Sequence, residues 1–117
     1  MNTPQVREIS PQELQTLLSE GKVLLIDVRE PDEYAAERIP GALLYPLSTF
    51  DAKALPPDES RQVVFQCGSG VRSMKAAKAR LGAGAARAAH LTGGLRAWSA
   101  AGFGTVHLDP ATGAVTR

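Results

Sequence analysis

With 117 residues the chain is long enough for one ordinary domain and too short for two; 44% hydrophobic and 21% charged residues mark a folded globular protein, not a disordered one. Its apolar runs, such as Val23–Ile26, fall far short of bilayer length, and the amino terminus lacks a basic stretch followed by an apolar one. The net charge is +1, and the lone cysteine, Cys67, excludes an internal disulfide and a cysteine-cluster metal site.

In chain order, Ser10-Pro11-Gln12-Glu13 has the form of a helix start, with Ser10 as N-cap, proline at the first helical position and Glu13 closing a capping box. Leu14, Leu17 and Leu18 follow at helical spacing, and Gly21 is the stop. Val23 to Val28 is a strand apolar on both faces, as in the middle of a parallel sheet. A short helix runs from Pro31 to about Arg38, ended by Pro40-Gly41, and Ala42 to Tyr45 suits another strand. After the polar stretch Asp51–Ser60, a second buried strand, Gln62–Gln66, leads directly into Cys67-Gly68-Ser69-Gly70. A helix is predicted over Val71–Leu81, with Met74, Ala77 and Leu81 on one face, and Gly82 and Gly84 end it. Ala86 to Leu91 is the last predicted strand and Gly94 to Ala100 a closing helix ended by Gly102; from Gly104 onward no element is legible. Strands alternating with helices predict an α/β fold in a single domain over 1–117, with a core at about 9–103 and a tail at 104–117.

Charge is unevenly distributed along this order. Residues 1–60 hold 11 acidic and 5 basic side chains, whereas 61–108 hold no acidic one and seven basic ones: Arg61, Arg72, Lys75, Lys78, Arg80, Arg87 and Arg96. Two solvated helix faces of opposite sign account for this, and so does a positive field that draws small anions toward Cys67. No aromatic residues are interleaved with these charges, so a nucleic-acid partner is not expected. His90 and His107 lie far apart without a carboxylate motif between them, and each is expected at the surface or half-buried, with no metal.

Cys67 stands where an open α/β sheet binds ligands, beyond the carboxyl end of a strand and before a helix. Gly68 and Gly70 would let the backbone curl so that successive amide N–H groups point inward. The helix that follows adds its free N–H groups and the positive end of its dipole. Such a cradle holds an anion and favours thiolate over thiol, which makes the cysteine nucleophilic. A packing cysteine would need none of these neighbours.

Cys67-Gly68-Ser69-Gly70-Val71-Arg72-Ser73 resembles the C-x-x-G-x-R-S loop of single-domain members of the rhodanese family. Asp27-Val28-Arg29-Glu30 with Glu33-Tyr34 is similar to the family's D-V-R-E-x-x-E-[YF], and Arg38-Ile39-Pro40-Gly41-Ala42 to its H-I-P-G-A. Leu91 to Trp98, with Ala101-Gly102-Phe103, resembles its closing G-G-x-x-A-W…G segment, so the likeness runs from Ile9 to Phe103.

The resemblance implies a mostly parallel sheet of about five strands with helices on both faces. It implies that Cys67 carries sulfur as a persulfide held by the amides of Gly68, Ser69, Gly70, Val71, Arg72 and Ser73. Arg72 would attract the anion or, the preferred reading, close the loop by an ion pair with an acidic residue of the Asp27–Glu33 segment. Asp27 and Arg29 would form a buried network under the loop, joined by Glu33. Trp98 is read as core and Gly93-Gly94 as the turn into the last helix. The expected partners are a small anionic donor such as thiosulfate or a persulfide, and a cyanide, thiol or protein acceptor. No cofactor, metal or membrane is expected, and a cytoplasmic monomer is. Two other readings compete. Cysteine phosphatases and arsenate reductases resemble C-x5-R, whereas only four residues separate Cys67 from Arg72. A sulfur-relay or rhodanese-like binding module would use the same residues; with no second cysteine, an external acceptor must take the sulfur.

Overall fold

The computed structural model describes residues 5–117. Its main sheet has five parallel strands in the order β1-β6-β5-β2-β4: β1 (Val6–Ile9), β2 (Val23–Asp27), β4 (Leu43–Leu44), β5 (Gln62–Gln66) and β6 (Ala88–Leu91). The three central strands are buried almost throughout, which is why they read as continuous apolar runs. Strand β1 has no such signal: at the sheet edge its Arg7 and Glu8 are exposed, so its sequence is half polar.

Alternation along each strand divides the core into two. Val23, Leu25, Val64 and Leu91 meet Leu14 of α1 (Pro11–Ser19), with Leu95 and Trp98 of α4 (Gly94–Ala100), on one face. On the other, Ile26, Val28, Val63, Phe65 and Cys67 meet Ala76 and Ala77 of α3 (Val71–Gly82). Single-turn 3-10 helices at Leu47–Thr49 and Ala52–Ala54 extend that side through Leu47, Phe50 and Leu55. Helices on both faces oblige the strands between them to be apolar on both.

Three expectations need correction. Ser10 caps α1, its Oγ accepting from the Glu13 N–H at 3.1 Å, but Glu13 does not close a box: its carboxylate pairs with Arg7 of β1. Glu33 plays that part instead at α2 (Pro31–Ala36), where Oε1 accepts from the Glu30 N–H at 3.1 Å. Helix α2 also stops two residues before Arg38. Glu37–Arg38 form strand β3, paired antiparallel with β7 (Val106–Leu108), and β8 (Val115–Thr116) completes a small second sheet. The tail is therefore structured, and Trp98 Nε1 donates to the Gly104 carbonyl at 2.9 Å where it departs.

Candidate active site

Strand β5 ends at Gln66, paired with Asp27, and Cys67 is the next residue. Its side chain continues the alternation of Val63 and Phe65 toward α3, which brings the sulfur beneath the start of that helix. Gly70 is the N-cap of α3, and its φ of 103° lies in the region that favours glycine. That turn aims two amides at the sulfur: Gly70 N donates to Cys67 Sγ at 3.0 Å and Ser73 N at 3.3 Å, with Ser73 Oγ 3.5 Å away. Gly68 does not share this duty. Its φ is not positive, and a Cβ there would meet only the Arg72 guanidinium at 3.5 Å, so the curl of the loop depends on Gly70.

Cys67 is fully buried. Burial pushes its thiol pKa up, but hydrogen bonds from the Ser73 side chain and from the N–H groups of Ser73, Gly70 and Ser69 outweigh it, and the pKa falls below the ordinary thiol value. The loop is clamped from behind by α4: Leu95 N donates to the Cys67 carbonyl at 2.8 Å and Arg96 N to that of Gly68 at 3.1 Å. Gly94 permits this approach, since a Cβ on it would fall 2.3 Å from the Cys67 oxygen. Gly93-Gly94 is thus more than a turn into the helix.

Arg72 turns away from the sulfur. Its guanidinium grips Glu33 in a fork, Nη1 to Oε1 at 2.7 Å and Nη2 to Oε2 at 3.0 Å, tying the loop to α2. The hydrogen bond from Arg72 is the chief reason that the Glu33 pKa drops from 4.5 to about 2. Asp27 and Arg29 form a separate buried pair, Arg29 Nη2 to Asp27 Oδ2 at 2.8 Å, and Arg29 also donates to the Glu37 carbonyl at 2.6 Å. Glu33 therefore does not join them by hydrogen bonds, because Arg72 competes for both its oxygens. Asp27–Arg29 fastens the end of β2 to the exit of α2, not to the cysteine loop.

The basic half of the chain is partly neutralised by folding. Besides Arg72, both Arg80 and Arg87 reach Asp58, at 3.1 Å and 3.0 Å. Lys75 and Lys78 instead border a depression of about 510 Å³ beside the loop, walled by Ser69, Gly70, Val71 and Met74. Trp98 is 2% exposed, packed in the core against Phe103.

His90 departs most from the sequence reading. It is 3% exposed, and its Nδ1 lies 2.8 Å from Ser73 Oγ. The only sequence signal was its place: one polar residue, at the carboxyl end of a strand otherwise apolar, where such sheets bind ligands.

A helix-flanked parallel sheet with a cysteine cradled at its carboxyl edge defines a class of α/β proteins built around one thiol. The chain belongs to the rhodanese-like domain family, whose profile matches residues 10–101. It is 35% identical over 99 residues to a sulfurtransferase of Allochromatium vinosum, covering 84% of this chain and 92% of that one. It is 34% identical over 104 residues to the human thiosulfate:glutathione sulfurtransferase, covering 77% of this chain and 90% of that one. An uncharacterized Synechocystis protein is 39% identical over 109 residues, 93% of this chain, but the match spans 61% of that protein's length. The match to the probable adenylyltransferase/sulfurtransferase MoeZ of Mycobacterium tuberculosis spans only 24% of that protein. Among solved structures, a rhodanese-related protein from Thermoplasma volcanium superposes with a TM-score of 0.74 at 25% identity, covering 86% of this chain and 97% of that one.

Proposed function

We propose that this chain acts as a single-domain sulfurtransferase whose nucleophile is Cys67. The observation that carries the reading is the pair of amide donors on Sγ at 3.0 Å and 3.3 Å, from Gly70 and Ser73. Donors that stabilise a thiolate suit the reaction at both of its stages. In the first, Cys67 sulfur attacks the outer sulfur of thiosulfate; an S–S bond forms to Cys67, the S–S bond of thiosulfate breaks, and its electron pair leaves on sulfite. In the second, cyanide or an acceptor thiolate attacks the terminal sulfur, and Cys67 departs as thiolate into the same cradle. Once Cys67 is a thiolate, neither stage takes up or releases a proton.

The cradle belongs to one chain, so a monomer suffices, and a lone free thiol suits a reducing compartment such as the cytoplasm. Because Sγ is closed off, transfer requires the Ser69–Val71 segment to yield or the side chain to turn outward.

The test is thiocyanate release from thiosulfate and cyanide, wild type beside Cys67→Ser, with the intact mass of the thiosulfate-treated protein. Turnover that vanishes in the variant, with a gain of one sulfur in wild type, is the expected result. Absence of both, with sulfur accepted from a protein persulfide, would make this a relay module.

Donor preference follows from the loop. Gly68 and Ser69 bring no charge beside the sulfur, and Arg72 is engaged by Glu33. A persulfide is therefore expected to be the better donor, with a lower KM than the dianion thiosulfate. A thiosulfate KM well below that of glutathione persulfide would reverse this.

A further inference from the structure

The strand register lines up Cys67 with two groups that the sulfur-transfer steps leave unused, Glu8 and His90. Glu8 pairs with His90 across β1 and β6, and His90 pairs with Phe65 across β6 and β5. Directly paired residues of parallel strands face the same side, so Glu8, His90, Phe65 and Cys67 all project toward α3. From that helix Ser73 closes the row. Its Oγ lies 2.8 Å from His90 Nδ1, 3.2 Å from the Gly70 carbonyl and 3.5 Å from Cys67 Sγ. The other ring nitrogen, Nε2, is buried without a hydrogen-bond partner among the described residues. It sits 3.5 Å from a carboxylate oxygen of Glu8, whose side chain is 59% exposed.

Ser73 has one hydroxyl proton and three acceptors for it. If His90 Nδ1 is bare, the nearest acceptor takes that proton, and the sulfur loses a donor. If Nδ1 carries a proton it must donate to Ser73 Oγ, which frees the hydroxyl to turn to the sulfur. Nε2 faces the Glu8 carboxylate and Nδ1 faces Ser73 Oγ, so each ring nitrogen has a group placed to accept from it and the ring has places for two protons.

We propose that Glu8, His90 and Ser73 form a proton relay to Cys67, with His90 as a positioning residue that takes up the thiol's proton through Ser73. The S–H bond breaks and its electron pair stays on sulfur. That proton passes to Ser73 Oγ while the hydroxyl's own proton passes to His90 Nδ1, so one proton moves overall and none leaves the protein. The result is a thiolate held by Ser73 and an imidazolium held by Glu8. The inference rests on the proposed role of Cys67 as nucleophile. The lowered thiol pKa agrees with it.

The charged groups facing this path come from several elements. Glu8 projects from β1, and Lys75 and Lys78 of α3 border the same depression as His90. Arg72 lies beside the loop, neutralised by Glu33, and β5 has no charged residue. Arg96 of α4 reaches the loop through its backbone N–H. The two lysines oppose the imidazolium, which leaves Glu8 as the group that favours it.

Ring ¹⁵N NMR of His90 and iodoacetamide alkylation of Cys67, each followed across pH, read the two ends of the relay. Coupling between two sites is reciprocal. Cys67→Ala should therefore lower the midpoint of His90 protonation, and His90→Ala should raise the midpoint of alkylation. Glu8→Gln, at the exposed end, should raise the alkylation midpoint by less. His90→Asn keeps a donor toward Ser73 but cannot accept the proton, and should fall between wild type and His90→Ala. An asparagine variant that matched wild type would reject proton transfer. A His90 midpoint unmoved in Cys67→Ala overturns the relay, whether or not His90→Ala folds. Alkylation needs no sulfur donor, so the two proposals fail separately. Reciprocal shifts without persulfide formation reject the sulfurtransferase and keep the relay, whereas persulfide formation with unmoved midpoints rejects the relay alone.

Discussion

Gly68 and Gly70 look equivalent in the sequence and are not so in space. Gly70 holds a φ of 103°, and a Cβ on it would lie 3.2 Å from the Gly93 nitrogen, whereas Gly68 has an ordinary φ and only the flexible end of Arg72 within reach. Gly70→Ala should thus cost about 1–3 kcal/mol in urea unfolding and turn the Gly70 amide off the sulfur, slowing persulfide formation. Gly68→Ala should stay within about 0.5 kcal/mol of wild type. Equal losses from the two would mean that the loop curls differently from the arrangement described above.

Between elements, the decisive contact is α4 against the cysteine loop. Two amides of its first turn hold the carbonyls of Cys67 and Gly68, and Gly94 has a φ of 60° with no room for a side chain. In Gly94→Ala the new methyl would meet backbone atoms at 2.3 Å and 2.7 Å, which cannot rotate away as a side chain could. A loss of about 2–4 kcal/mol by thermal or chemical unfolding is expected, together with loss of sulfur transfer. Activity unchanged at wild-type stability would show that α4 does not set the loop.

Across the molecule, the acidic first half and basic second half meet as ion pairs. Arg72–Glu33 ties the loop to α2, and Asp58 ties the chain before β5 to Arg80 and Arg87. Glu33 has its pKa lowered from 4.5 to about 2, so its contribution to stability is fully present above pH 4.5 and is lost as pH falls toward 2. Both partners are about one-third exposed (35% and 36%), so solvent screening keeps the effect below about 1 kcal/mol. Glu33→Gln should therefore narrow the difference in stability between pH 6 and pH 2, as read by urea midpoints. An acid profile identical to wild type would show that the fork contributes nothing.

What the sequence determined is whatever depends on near neighbours. The buried strands β2 and β5, the helices α3 and α4, and the cysteine between strand and helix were legible because apolar periodicity, glycines and caps act within a few residues. Strand β1 was not, since an edge strand needs only one apolar face, and neither was the pairing of β3 with β7, since 68 positions separate Glu37 from Thr105, which bond to each other. Glu13 and Glu33 both occupy capping-box positions, and only the neighbours brought by folding decided which one closes the box: Arg7 draws the first away. His90 shows the same division. Its identity and place on a strand are local facts, but its approach to Ser73 depends on the register of β6 beside β5 and on α3 packing over both. Long-range pairing and packing leave little trace in any single segment, and in this protein they position the groups around Cys67.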